Sequence, residues 1–160
     1  MARPTSYGVL LFRRGEEGIR FLLGKIPQGN FWTVFKGMPE LNETPYETAL
    51  REFQEETGSS ALKELSPIAT LTGKTSQKTL EIFLQEWTQP PENIVFEIDQ
   101  VVKIDRGYMA GRPEIIDIKW LSLDQALNGV HGAKIYNSQE TILSQAYEVI
   151  VNLQDQEENV

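Results

Sequence analysis

The sequence predicts an α/β fold, and three observations carry that prediction. Several short β-prone segments and three helical patterns share the chain, and one of those helices has both its start and its stop written in the sequence. Hydrophobic residues make up 40% of the total, enough to bury a real core in a chain of this length. No internal repeat or low-complexity linker divides it. Residues 1–160 are therefore expected to form one domain, with about 152–160 as a frayed polar tail.

The elements follow in order. SYGVLLFR at 6–13 and IRFLLGK at 19–25 are apolar and β-prone, with a Gly-Glu-Glu-Gly turn between them, and FWTVFK at 31–36 reads as a third short strand. A helix is expected over 45–57. Pro67–Thr72 and Leu80–Trp87 supply two later strands, and Ile115–Leu121 a further one. Ser122 starts a short helix through Leu127. The final helix is expected from a cap at Asn137 or Ser138 to about Leu153, burying Ile142, Leu143, Ala146, Ile150 and Leu153. Residues 88–113 read as irregular: a Pro-Pro break, a weak apolar run, then a glycine-rich loop with Arg106, Tyr108 and Arg112. Loops of that length inside a compact domain are often functional.

The 45–57 helix carries the chemistry. Thr44 suits the N-cap, Pro45 the first helical position, Glu47 completes a Thr-x-x-Glu capping box, and Gly58 is the stop. Tyr46, Ala49, Leu50, Phe53 and Thr57 recur at the spacing of a buried face, and Glu52, Glu55 and Glu56 gather on a second. Each like-charge pair at i+3 or i+4 costs roughly 0.2–0.5 kcal/mol. A bound divalent cation offsets that cost, since Mg²⁺ takes oxygen ligands and is held by carboxylates together with substrate phosphates. The competing reading is an ordinary solvated face with Glu47/Arg51 and Arg51/Glu55 as i, i+4 pairs.

The spacing across 37–58 separates these readings. Gly37, Glu43, Arg51, Glu52, Phe53, Glu55, Glu56 and Gly58 resemble the Nudix box, G-x5-E-x7-R-E-U-x-E-E-x-G-U with U apolar; only Ser59 departs, at a packing position. The resemblance implies an α/β/α sandwich with a mixed sheet. It also implies metal-dependent hydrolysis of a nucleoside diphosphate linked to another moiety. Glu52, Glu55 and Glu56 would then be metal ligands, with Glu52 a candidate base, Arg51 orienting the glutamates, and the Gly37 carbonyl a further ligand. Glu43 would steady the loop-helix junction or join the metal shell through water. Mg²⁺ or Mn²⁺ is the implied cofactor.

Outside the box the chain resembles the MutT-like, predicted nucleoside-triphosphate pyrophosphohydrolase branch and, more distantly, asymmetric diadenosine tetraphosphate hydrolases. The shared features are Lys36-Gly37 at the entry, Lys78 in the next hairpin, and Pro-Glu-x5-Trp from Pro113 to Trp120; Val34-Phe35 stands where Phe-Pro is common. Lys36, Lys78, Tyr108 and Arg112 are the candidate substrate contacts. The lysines serve as point charges for phosphate and Tyr108 as a surface for stacking a base. Glu97 and Glu114 are candidates for an extra carboxylate acting as base. Each has a plainer role open to it: edge-protecting lysines, a tyrosine covering core, solvated loop acids. Trp32 and Trp120 read as core.

Composition excludes several other chemistries. With no cysteine there is no disulfide or thiolate metal site, and the single histidine, His131, lies in an NGVHGAK loop with no recognisable partner. A net charge of −8 opposes binding to a nucleic acid backbone or an anionic membrane, but not to a small nucleotide held through metal. No segment suits a signal peptide or a membrane span, so a cytoplasmic enzyme is expected, as monomer or homodimer. The expected substrate is a dinucleoside polyphosphate or nucleoside triphosphate. Nucleotide sugars, ADP-ribose, or a nucleotide-sensing module without turnover are the alternatives.

Overall fold

The computed structural model describes residues 3–27 and 31–159. Its strands are β1 (Thr5–Gly15), β2 (Gly18–Lys25), β3 (Phe31–Thr33), β4 (Phe35–Gly37), β5 (Ala69–Lys74), β6 (Thr79–Glu86), β7 (Asp117–Leu121) and β8 (Lys134–Ile135), and its helices are α1 (Pro45–Thr57), α2 (Leu123–Asn128) and α3 (Glu140–Glu158). The strands form one mixed sheet in the order β5-β6-β1-β2-β3-β8, with β4 on β1 and β7 on β2. β1 runs parallel to β6, and β3 parallel to β8; the other pairs are antiparallel.

β1 organises the sheet because it is buried on both faces, which is why it reads as a continuous apolar run rather than an alternation. Leu10 and Phe12 face one core with Ala126 of α2 and Ile142, Leu143, Ala146 and Ile150 of α3. Val9 and Leu11 face the other, with Phe35 and Phe53 of α1. The result is the expected α/β/α sandwich. Phe35 and Phe53 meet edge to face at 5.3 Å, pinning α1 beside β4.

Several expectations are corrected. The strand expected over 31–36 is two, because β1 and β2 pair directly only over Phe12–Gly15 and their diverging ends take separate partners, β4 and β3. Val34 sits at the crossing, its N–H donating to Gln139 Oε1 at 2.9 Å, while Gln139 Nε2 donates to Thr33 Oγ1 at 3.0 Å. A 3₁₀ turn over Asn137–Gln139 leads into α3, so neither Asn137 nor Ser138 caps it. α3 continues to Glu158 where a frayed tail was expected, and Arg14 of β1 ties Glu157 to Glu86. Leu153 is half-buried rather than core.

Residues 88–113 are not loose. Two 3₁₀ turns, Pro91–Asn93 and Ile98–Gln100, place Ile94 and Val101 in the core beneath α1, and a bridge between Lys103 and Pro113 closes a hairpin-like loop. Among the described residues no helix is long and apolar enough to cross a membrane.

Candidate active site

The site is built outward from the start of α1. Thr44 accepts from the Glu47 N–H and Glu47 Oε1 accepts from the Thr44 N–H, the reciprocal capping expected from the sequence; Gly58 ends the helix at φ 72°. Just before the cap, Glu43 is clamped. Arg51 donates to it through Nε at 2.7 Å and Nη2 at 2.9 Å, Thr48 Oγ1 at 2.7 Å and the Glu40 N–H at 2.9 Å. The Arg51 hydrogen bonds bring the Glu43 carboxyl down to about 2, and Glu43 raises Arg51 above its ordinary value in return.

Arg51 also reaches the reactive face. Its Nη1 donates to Glu52 at 2.9 Å and to Glu55 at 3.1 Å, while Nη2 donates to the Met38 carbonyl at 2.9 Å. One guanidinium thus fixes the loop after Gly37 against the glutamate face, which a lysine's single ammonium cannot do.

The glutamate face turns inward. Glu52 and Glu56 are only 9% and 8% exposed, so the solvated-face reading fails at these two residues. Tyr46, placed on the buried face by periodicity, is 47% exposed instead, and Leu50 is half-buried. α1 is rotated so that Thr48, Glu52 and Glu56 join Ala49, Phe53 and Thr57 against the sheet. Burial, opposed by Arg51 and helped by Glu55, pushes the Glu52 carboxyl up to about 7. Burial likewise holds Glu56 well above the carboxylate range against the pull of Lys36, whose N–H donates to Glu56 Oε1 at 3.0 Å.

These residues fit a hard divalent cation by donor type and by electrostatics. The donors are all oxygen, and the surroundings of the two buried carboxyls do not compensate their ionised forms, which a divalent cation would. Gly37 adds a shape criterion: a Cβ there would lie 2.1 Å from the Glu52 carboxyl carbon, so any larger residue would push this carboxyl out of its present place against β4. Among the described residues no three acidic side chains converge as a ready-made cage. Glu52 and Glu55 are drawn to Arg51 and Glu56 to the Lys36 amide, so ion binding would require these carboxylates to re-aim.

The remaining candidates divide. Lys36 and Lys78 both face the buried glutamates: burial and then Lys36 lower the Lys78 ammonium, while Glu56 and Glu52 raise it. Glu114 joins them, its carboxyl raised by burial and by Glu55. Backbone bonds set its place, from the Val102 N–H to the Glu55 carbonyl and from the Glu114 N–H to the Val102 carbonyl, each 2.9 Å. Glu97 is not brought in: it is exposed, beyond the end of α1, with its N–H on the Thr57 carbonyl. Tyr108, 85% exposed, and Arg112, also exposed, stand on the hairpin-like loop and make no side-chain hydrogen bond among the described residues. Trp32 is core, whereas Trp120 is half-buried beneath Arg13. His131 sets its ring edge-on to Trp32 at 6.4 Å.

Gln139 escaped the sequence reading although it fixes the crossing from which Lys36 and Gly37 follow. A glutamine next to a cap position looks like surface; its place is set by a partner 105 residues away in sequence.

Comparison with known proteins agrees with this geometry. A family model described as NUDIX domain matches residues 2–142. No curated protein matches the chain significantly. Among solved structures, the chain is similar to a Caenorhabditis elegans Ap4A hydrolase binary complex, at 18% identity and TM-score 0.62 over 93% of this chain and 98% of that one. It is similar to a mutT/nudix family protein from Listeria innocua, at 19% identity and TM-score 0.58 over 95% of this chain and 96% of that one. It is also similar to a bifunctional NMN adenylyltransferase/ADP ribose pyrophosphatase from Francisella tularensis complexed with AMP and a Mn ion, at 15% identity and TM-score 0.61 over 92% of this chain and 42% of that one. With the box in place at the mouth of an α/β/α sandwich and the family model covering most of its length, the chain belongs to the Nudix hydrolase family.

Proposed function

We propose that this Nudix hydrolase cleaves a pyrophosphate linkage in a nucleoside diphosphate derivative, using Mg²⁺ or Mn²⁺, with a dinucleoside polyphosphate or nucleoside triphosphate as substrate. The observation that carries the reading is the burial of Glu52 and Glu56 on one face of α1, against Gly37 and opposite Lys36. Glu52, Glu55, Glu56 and the Gly37 carbonyl would hold the cation. When bound, it supplies charge neutralisation at the bridging oxygens of the anhydride and a fixed position for the attacking water.

The chain's own residues do the rest. Arg51 orients Glu52 and Glu55 while Glu43 anchors Arg51. Lys36 and Lys78 offer point charges to phosphate oxygens, and Tyr108 and Arg112 take the part of the substrate beyond the phosphates. The water's proton goes to Glu52 or to Glu114; of the two extra carboxylates considered, Glu114 is the one beside the cluster. The chain acts in this reading as a single cytoplasmic domain on a small-molecule nucleotide, without a nucleic acid or membrane partner.

The test is incubation with Mg²⁺ or Mn²⁺ and a panel of dinucleoside polyphosphates, triphosphates, nucleotide sugars and ADP-ribose, with product identification. The expected outcome is metal-dependent release of a mononucleotide from a polyphosphate substrate. No cleavage of any compound, together with a melting temperature indifferent to Mn²⁺, sinks the proposal.

A further inference from the structure

Met38 follows Gly37 directly and is held at two points. Its carbonyl accepts from Arg51 Nη2 at 2.9 Å, and its sulfur accepts from the Ser6 hydroxyl at 3.5 Å. The β1–β4 register explains the second contact, since it pairs Val9 with Phe35, Gly8 with Lys36 and Tyr7 with Gly37, and its next step sets Ser6 opposite Met38. Ser6 is fully buried, whereas Met38 is 46% exposed.

The pair is polar where packing alone asks for nothing polar. Leucine fills nearly the volume of methionine, but only the thioether offers Ser6 an acceptor, and a weak one. Among the described residues the Ser6 hydroxyl donates to nothing else. A buried donor is thus aimed at the sulfur of an exposed side chain, and an oxygen in that place would satisfy it better. Oxidation supplies that oxygen. A sulfoxide S–O bond of about 1.5 Å and an O–H···O distance of about 2.7 Å, meeting at about 120°, span about 3.7 Å from sulfur to hydroxyl. The existing separation of 3.5 Å nearly matches.

We propose that Met38 is an oxidation site, whose sulfoxide is captured by Ser6 and latches the loop after Gly37 onto β1. The oxidant is a hydroperoxide: the sulfur lone pair forms the S–O bond as the O–O bond breaks, and with hydrogen peroxide the departing hydroxide takes the proton of the transferred oxygen and leaves as water. Sulfur loses two electrons and the peroxide gains them. The chain has no cysteine to compete for the oxidant. Met109, half-buried on the hairpin-like loop, makes no side-chain hydrogen bond among the described residues and so has no partner to capture its sulfoxide. The consequence for the site rests on the metal reading above. Glu52 and Glu55 must leave Arg51 to meet an ion, and Arg51 is tied to the Met38 carbonyl, so a fastened loop resists that rearrangement. Oxidation should therefore weaken metal binding.

The experiment treats the metal-free protein with hydrogen peroxide, locates the added oxygen by peptide mass spectrometry, and measures melting temperature and Mn²⁺ affinity before and after. Met38 should gain an oxygen and the melting temperature should rise by about 2–4 °C, the scale of a hydrogen bond gained in a chain of this size. Mn²⁺ binding should weaken about fivefold or more, the ordinary strength of coupling between two sites, and methionine sulfoxide reductase should reverse all three changes. In Ser6→Ala the oxygen should still be added but the rise should be absent. In Met38→Leu peroxide should alter neither melting nor affinity. A Met38 left unmodified under conditions that oxidise Met109, or a rise of equal size in Ser6→Ala, overturns the latch. A Ser6-dependent rise with unchanged Mn²⁺ affinity overturns its hold on the metal site. If neither the reduced nor the oxidised protein binds Mn²⁺, the hydrolytic reading fails, while a Ser6-dependent rise still supports the latch.

Discussion

Glu43 and Glu52 are both within reach of Arg51, and they end in opposite electrostatic states. Glu43 receives four hydrogen bonds, two of them from Arg51, and is held down to about 2. Glu52 receives one arm of the same guanidinium, lies against Gly37, and is pushed up to about 7 by burial. Satisfaction separates them more than sequence does. Glu43 is already an ionised, complete structural joint; Glu52, with Glu56 behind it, is a carboxyl whose charge is not yet compensated. The first kind of group holds a site together and the second has capacity for a cation.

The sharpest way to break this distinction is Glu56→Gln. If the buried carboxylates exist to hold an ion, the neutral isostere should lower kcat by about 10³-fold or more, since a lost metal ligand costs several kcal/mol of barrier and each ~1.4 kcal/mol is tenfold. The metal-free melting temperature should hold or rise, because an uncompensated buried carboxyl has been removed. Activity near the parent's level would show the cation to be placed wrongly. Next is Arg51→Lys, which keeps the charge but not the fork. It should cost ~1–3 kcal/mol in urea unfolding, as charged hydrogen bonds to Glu43 are lost, and reduce turnover by about 10²-fold. Equal loss of stability with unchanged turnover would confine Arg51 to the joint.

How much of this was legible follows the range of the interactions. α1 was readable to the residue because its caps, Thr44, Glu47 and Gly58, act within four positions of their targets. The glutamate spacing was readable for the same reason, but which way that face turned was not. Periodicity put Tyr46 inside, whereas the Phe35–Phe53 contact and the Lys36–Glu56 bond decide the rotation, and both come from β4. The split of 31–36 into β3 and β4 depends on where β1 and β2 diverge and on Gln139, none of it local. Glu114 and Glu97 looked alike in sequence; the Val102 N–H on the Glu55 carbonyl and the Glu114 N–H on the Val102 carbonyl tie Glu114 to α1 near Glu55, whereas the Glu97 N–H on the Thr57 carbonyl leaves its side chain exposed past the helix end.

The comparison also predicts opposite responses to pH. Glu52 has a folded value near 7 against an ordinary 4.5, so between those limits the folded protein binds more protons than the unfolded chain. Its contribution is favourable at low pH and is lost as pH rises through about 7. The metal-free parent should therefore lose stability relative to Glu52→Gln between pH 5 and pH 8. Added Mn²⁺ needs the ionised form, so its stabilising effect should be larger at pH 8 than at pH 5.5. Scanning calorimetry of both proteins with and without Mn²⁺ checks this, and a metal effect independent of pH would remove Glu52 from the ligand set.

Glu43→Gln tests the other side and carries the smallest effect. The folded value is about 2 against 4.5 unfolded, so the carboxylate contributes stability above about 4.5 that disappears as pH falls through 2. Replacing it should cost about 1–2 kcal/mol at neutral pH, the scale of charge-assisted hydrogen bonds, with the gap to the parent closing in acid. Because the introduced amide oxygen would still accept from Arg51, turnover should fall far less than in Glu56→Gln, and metal affinity should be nearly unchanged. A Glu43→Gln protein that lost metal binding as completely as Glu56→Gln would make Glu43 a member of the ion's shell, and the two carboxylates would differ in degree instead of in kind.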